Sequence, residues 1–162
     1  MYSEHYKQQL IEKHKEPRWG STAHQWNTFL DNKIYGKILD YGCGKSTLEL
    51  PSRTIYRYDP GIPGIDFIPE HKFNWVVCID VMEHVEPEYV DTVLDNIVSL
   101  APNAFFDINT RVAKHILPDG SNAHLTVQPS TWWETKLKER YSEIQTIKTD
   151  IDYVCFARKK LC

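Results

Sequence analysis

A strand, a helix and a second strand in direct succession leave this chain few folds to choose from. Trp75–Ile79 and residues 104–108 are short apolar runs rich in β-branched and aromatic residues, as buried strands are. Between them, residues 87–100 place Val90, Val93, Leu94, Ile97 and Val98 at helical spacing, with Pro87 near the start. A helix joining two such strands makes a parallel crossover. Lys37–Tyr41 and Thr54–Tyr58 are further runs of the same kind, and a second helix is expected after Ser130, with Trp133 and Leu137 on one face. Residues 143–149 and 153–158 are strand-like and joined by a short turn at 150–152, so they must pair antiparallel. The expected architecture is α/β: a mostly parallel twisted sheet with a C-terminal antiparallel strand and helices on both faces. Ligands on such sheets bind at the carboxyl ends of the strands.

The 162 residues suit one domain and are too few for two. Two polar, helix-compatible segments lead, residues 3–14 and 21–32, separated by a break at Pro17 and Gly20, with Ser21 as the expected N-cap of the second. The reading is a single domain, 1–162, in which 1–33 form a helical lid or cover and 34–162 the α/β core. Tyr2, Tyr6, Trp19 and Trp26 would either close over a ligand or simply cover the sheet.

Hydrophobic residues at 41% and charged residues at 25% are the mixture of a soluble globular protein. The net charge is −3, with the basic residues scattered, which disfavours a polyanionic substrate. No apolar stretch is long enough to cross a bilayer, and the first residues carry no basic region followed by an apolar run. The expectation is a cytoplasmic protein with no membrane partner. Cys43, Cys78, Cys155 and Cys162 lack the paired spacing of a zinc or redox site, and a thiol in an apolar run behaves as a small hydrophobe.

Chemistry concentrates after the first run, in Ile38-Leu39-Asp40-Tyr41-Gly42-Cys43-Gly44-Lys45-Ser46. Gly-x-Gly at a strand end permits positive φ and close approach of a ligand to the backbone. Alone it is an ordinary tight turn. Asp40 lies two residues before the first glycine, and Asp59 ends the next run, where a carboxylate can accept hydrogen bonds from a ribose diol. A nicotinamide dinucleotide would use the same geometry, but its fingerprint wants a third glycine where Thr47 stands, and a phosphate loop would need a glycine earlier than Gly44-Lys45-Ser46 supplies.

With these residues in view, Leu39-Asp40-Tyr41-Gly42-Cys43-Gly44 resembles the first motif of the class I S-adenosylmethionine-dependent methyltransferases. Tyr58-Asp59 resembles their second-strand acidic motif, and residues 73–85 their fourth-strand motif and the loop after it. The motifs stand in the family's order, and with the terminal hairpin the resemblance spans residues 35–160. It implies a Rossmann-like fold and S-adenosylmethionine as cofactor. It places Gly42, Cys43 and Gly44 beneath the methionine moiety, Asp40 near its amino group, Asp59 on the ribose and Asp80 at the site's edge. The family's third strand and its helix are replaced by residues 60–72, where Asp66 and Phe67 are the candidates for adenine contacts, or else ordinary loop residues.

Some relatives bind a divalent ion through Glu-x-x-Glu-His and a later histidine. By that resemblance Asp80, Glu83, His84 and His124 would hold magnesium or manganese, Asp80 standing where the relatives have glutamate. Without a metal, His84 or His124 would serve as general base. A loop with Pro118-Asp119-Gly120 leads to His124, and Trp132-Trp133 beyond it reads as core rather than as a substrate platform.

Substrate signals are mostly negative. The chain has no Asp/Asn-Pro-Pro-aromatic motif of base amino-methylating enzymes, no double-glutamate hairpin of protein arginine methyltransferases, and no substantial insertion with which to wrap a macromolecule. The expected substrate is a small molecule, sugar or metabolite, methylated on oxygen. A nucleic acid, RNA in particular, is the runner-up. The rival from another class is a non-catalytic cofactor-binding or interaction protein.

Overall fold

The computed structural model describes residues 2–147, 149 and 151–159. Six strands form one sheet: β1 Lys37–Tyr41, β2 Thr54–Tyr58, β3 Trp75–Ile79, β4 Asn103–Asn109, β5 Glu143–Ile147 and β6 Asp152–Arg158. Their spatial order is β2-β1-β3-β4-β6-β5. β1 lies parallel to β2 and β3, and β3 parallel to β4, while β6 runs antiparallel between β4 and β5. The expected fold class holds, with β6 as the one reversed strand.

Alternate residues of each strand feed two cores, as the period of two requires. Leu39, Tyr41, Val76, Cys78, Phe106 and Cys155 face one way. Ile38, Trp75, Val77, Ile79, Phe105 and Phe156 face the other. The first face is covered by α3 (Val90–Leu100) and α4 (Ser130–Lys138). Val90, Val93, Leu94, Ile97 and Leu100 form the buried stripe of α3, and Trp133 and Leu137 that of α4. Each fully buried aliphatic side chain contributes roughly 1.5–3 kcal/mol.

The second face is covered differently. Neither the β1–β2 nor the β2–β3 connection contains a helix, so Leu48 and Leu50 of the first loop and Ala23, Leu30 and Ile34 from the N-terminal part fill that side. The segment expected as one helix over 21–32 is a 3₁₀ turn, Ala23–Trp26, followed by a short α2, Asn27–Asp31. Ser21 does not cap it. Its Oγ donates to the Arg18 carbonyl at 2.9 Å, and Thr22 holds the cap position. The helix expected over 87–100 likewise opens with a 3₁₀ turn, Pro87–Tyr89.

The first helix, α1 (Glu4–Lys13), is N-capped by Ser3, whose Oγ accepts from the Tyr6 N–H. It is strapped to loops at the carboxyl ends of three strands. Ser3 N and Oγ donate to Glu86 at 2.8 and 2.5 Å. Gln9 and Asp119 exchange two hydrogen bonds, and Gly61 packs so close to Leu10 and His14 that a Cβ there would meet both at 2.8 Å. Cys43, Cys78 and Cys155 are buried and unpaired, as expected of packing thiols. Cys162 and parts of the expected 150–152 turn lie outside the described residues.

Candidate active site

β1 leads left to β2 and the chain then returns to the other side of β1 to form β3, so the strand order reverses between β1 and β3. Such a switch point opens a crevice at the carboxyl ends. Here it holds a cavity of about 460 Å³, lined by Gly42 after β1, Asp59 after β2, Asp80 and His84 after β3, and Asn109 at the end of β4. The lining also includes Tyr2, Tyr6 and His14 from α1 or its ends, and Trp19. Sequence motifs did not single out His14.

Gly42 and Gly44 have φ of +74° and +50°, a region that L side chains avoid. A Cβ on Gly42 would lie 2.5 Å from Val81 Cγ2, and one on Gly44 would lie 2.4 Å from the Gly20 carbonyl oxygen. The loop's donors turn toward β2: Gly42 N and Cys43 N donate to the Tyr58 carbonyl at 2.8 and 3.0 Å, and Gly44 N donates to Asp59 Oδ2 at 2.9 Å. Of the glycine loop, only Gly42 reaches the cavity wall.

Asp59 is only 4% exposed. Its Oδ1 accepts from Gly61 N at 2.9 Å and lies 3.1 Å from His14 Nε2, while Oδ2 accepts from Gly44 N alone. Because each carboxylate oxygen offers two acceptor sites, one site on Oδ2 remains for a ligand hydroxyl. Asp40, two residues before Gly42, is 2% exposed, and its Oδ2 has no partner. Burial pushes its carboxyl up to about 7, against the pull of Arg57 opposite it on β2. Asp66 and Phe67 stand apart from the cavity. Asp66 accepts from Lys7 and Gly64 N, and Phe67 is 66% exposed.

The turn after β3 brings the four candidate ligands together. Asp80, Glu83, His84 and His124 each offer an atom within 4.8 Å of the others. Asp80 is a non-glycine residue at φ +57°, a strained conformation of the kind that collects at functional sites. Glu83 is fully buried; Oε1 accepts from Asn109 N at 2.8 Å and Oε2 has no partner. Burial and the neighbouring Asp80 carboxylate push the Glu83 carboxyl well up.

His84 Nδ1 meets the Ala123 carbonyl at 2.7 Å and His124 Nδ1 the Arg111 carbonyl at 2.5 Å. A carbonyl partner requires Nδ1 to be the donor, which leaves both Nε2 atoms as acceptors. Carbonyls that fix the tautomer in this way are the usual support of metal-ligating histidines. Burial lowers His84 to about 4, so it stays neutral, as a ligand must. Magnesium ligands at about 2.0–2.1 Å span at most ~4.2 Å across the ion, so the widest pair here would close by roughly half an ångström. An orphaned carboxylate oxygen and two tautomer-fixed imidazoles fit a divalent cation.

Trp19 packs edge-on against His84 with ring centroids 5.2 Å apart. Trp133 is fully buried in the core and Trp132 packs against it; neither lines the cavity.

No family model matches the chain, and no curated protein matches it. Solved structures do match its fold. A 1,6-didemethyltoxoflavin-N1-methyltransferase from Burkholderia thailandensis, with 1,6-didemethyltoxoflavin and S-adenosylhomocysteine bound, gives a TM-score of 0.67 at 12% identity over 94% of this chain and 86% of that one. The N-terminal domain of EvdMO1, in the presence of S-adenosylhomocysteine and D-fucose, gives 0.57 at 14% identity over 98% of both chains. Magnesium protoporphyrin IX methyltransferase from Synechocystis PCC 6803, with S-adenosylhomocysteine bound, gives 0.57 at 14% identity over 96% of this chain and 84% of that one.

Proposed function

We propose that this chain, which has the fold of the class I S-adenosylmethionine-dependent methyltransferases, methylates a hydroxyl oxygen of a small molecule, sugar or metabolite with the help of a divalent ion. The observation that carries this reading is the convergence of Asp80, Glu83, His84 and His124, of which Asp80, His84 and His124 line the cavity at the sheet's switch point. The cofactor lies across the carboxyl ends of β1, β2 and β3. Asp40 faces its amino group, Gly42, Cys43 and Gly44 run beneath its methionine moiety, and Asp59 takes a ribose hydroxyl on Oδ2. Asp80 stands at its edge, and the adenine extends past Pro60 toward Asp66 and Phe67. The helical part, 1–33, serves as a lid on the α/β core, 34–162, within a single domain.

When bound, S-adenosylmethionine supplies the sulfonium methyl group, and magnesium or manganese supplies the Lewis acidity that lowers the pKa of the acceptor hydroxyl. The cluster residues would hold the acceptor oxygen against the methyl group, and the proton of the acceptor hydroxyl would be lost to solvent. Positioning provides most of the help for methyl transfer. Asp80 and Glu83 offer oxygen, and His84 and His124 offer Nε2. His84, neutral down to about 4, suits a ligand better than a base. If the reaction runs without a metal, the proton goes to His124.

A non-catalytic cofactor-binding protein is the second reading, favoured by His14 and Gly20, which close over Asp59 and Gly44. Calorimetric titration with S-adenosylmethionine and S-adenosylhomocysteine, followed by methyl transfer with and without chelator, separates the readings. Binding of both, with activity lost to chelator and restored by magnesium or manganese, is expected. Binding of neither ends the methyltransferase reading, and full activity after exhaustive chelation ends the metal.

A further inference from the structure

Three cations line the cavity of a chain whose net charge is −3: Arg18, Arg111 and Lys114. Among the described residues none of them is in an ion pair, although Arg140, Lys136, Lys7 and Lys13 all are. The acids of the same wall have other work. Asp59 is engaged by His14 and two backbone N–H groups, and Asp80 belongs to the four-ligand cluster. Burial raises the Asp152 carboxyl against the pull of Arg111, which does not reach it as an ion pair.

Arg111 and Lys114 are exposed, but their backbone is not free to wander. The Asn122 side chain clamps Ala113 from both sides, its Oδ1 accepting from Ala113 N at 3.0 Å and its Nδ2 donating to Ala113 O at 2.9 Å. Ala123 N donates to the His115 carbonyl at 3.1 Å, and His124 Nδ1 donates to the Arg111 carbonyl at 2.5 Å. The segment bearing both cations is thus pinned to the segment bearing His124, one of the four clustered ligands. Arg18 belongs to the turn whose Gly20 packs on Gly44, on the cofactor's side. Between Arg111 and Lys114, Val112 lines the same wall and is 68% exposed, a surface for the carbon frame of a ligand.

We infer that the methyl acceptor is a small hydroxylated anion, a carboxylate or a phosphate ester, whose charge is held by Arg111 and Lys114 while its hydroxyl lies at the Asp80–His124 cluster. This rests on the methyltransferase reading and narrows it. Two cations at fixed offsets from the cluster orient such a molecule from one end, and a neutral analogue of the same shape loses that hold. A polymer would need a longer basic track, and the basic residues of this chain are otherwise scattered.

The test uses protein saturated with S-adenosylhomocysteine and magnesium, titrated with two matched pairs: 3,4-dihydroxybenzoate against its amide, and glucose 6-phosphate against glucose. At least one anion is expected to bind about tenfold more tightly than its neutral partner, as two partly exposed ion pairs give, and the pair that discriminates identifies carboxylate or phosphate. The double variant R111Q/K114Q should abolish that preference, R111K/K114R should retain most of it, and high salt should weaken it. Equal affinities within both pairs, binding of none of the four, or a preference that survives in R111Q/K114Q overturns the inference. So does tight binding of an RNA oligonucleotide where neither small anion binds. Binding of S-adenosylhomocysteine is measured first in every variant: its loss in the parent protein refutes the methyltransferase reading itself, while intact binding with indifference to anions refutes only the acceptor class.

Discussion

Replacing Asp40 with asparagine removes a carboxylate that is buried, lacks a partner on Oδ2 and is pushed by burial to about 7. A carboxyl raised in the folded state is charged only as pH rises through that value, so, in the proposed placement, its attraction for the cofactor's ammonium would switch on between pH 6 and 8. At pH 6 ionising it costs one pKa unit, about 1.4 kcal/mol, and the parent protein should bind S-adenosylhomocysteine roughly tenfold more weakly than at pH 8. A charge-assisted hydrogen bond contributes about 1.5–3 kcal/mol. Asp40→Asn should therefore weaken binding by about 10- to 150-fold at pH 8 and by roughly ten times less at pH 6. The cofactor-free protein should respond in the opposite sense. Its stability is fully present below the ordinary carboxylate pKa near 4 and is lost as pH rises through about 7, by up to roughly 4 kcal/mol, and the variant should lack that loss. Calorimetry at pH 6, 7 and 8, in buffers of different ionisation heat, reads both the affinity and the proton released from Asp40. Parent affinity that ignores pH, or a variant with the parent's slope, would refute the reasoning.

Gly44→Val would drive a branched side chain into the Gly20 carbonyl from a φ of +50°, so melting temperature and S-adenosylhomocysteine affinity should both fall; a variant with neither change refutes the close packing. Asp59→Ala should weaken the cofactor by about 10- to 150-fold. It should also lower the melting temperature by several degrees, because two backbone donors, Gly44 N and Gly61 N, lose their acceptor and His14 Nε2 loses the carboxylate 3.1 Å away. A thermal melt identical to the parent's would show those donors satisfied elsewhere. Trp26→Phe deletes the indole donor 2.6 Å from Asp107 Oδ2. Burial already holds that carboxyl up at about 7, so denaturant unfolding should show a loss of roughly 1–3 kcal/mol, larger at pH 8, where the carboxylate is charged, than at pH 5.

The sheet was legible because strand burial writes a local signal. Trp75–Ile79 is five buried residues in a row, and the spacing of Val90, Val93, Leu94 and Ile97 is the stripe that α3 buries. The reach of Asp80, Glu83, His84 and His124 toward one another was likewise open to inference, since three of them sit within a single turn. What stayed hidden depends on pairs with no signal in sequence. His14 on Asp59, Trp26 on Asp107 and Asn122 on Ala113 are set by packing between elements. The expected helix at Ser21 failed for a related reason: its hydroxyl found the Arg18 carbonyl, and Ala23, the short α2, Ile34 and the loop residues Leu48 and Leu50 cover the sheet face in place of the helices absent from the β1–β2 and β2–β3 connections.

The straps on α1 impose an order on biosynthesis. The bonds between Gln9 and Asp119 join residues 110 apart, and those between Ser3 and Glu86 join residues 83 apart. At about 5–20 residues per second, a ribosome needs on the order of 5–20 s to deliver Asp119 after Gln9. Throughout that interval α1 has its cap but not its seat, and Tyr6 and Leu10 must wait in water or on a chaperone. α1 is made early but docks only once residue 119 has emerged.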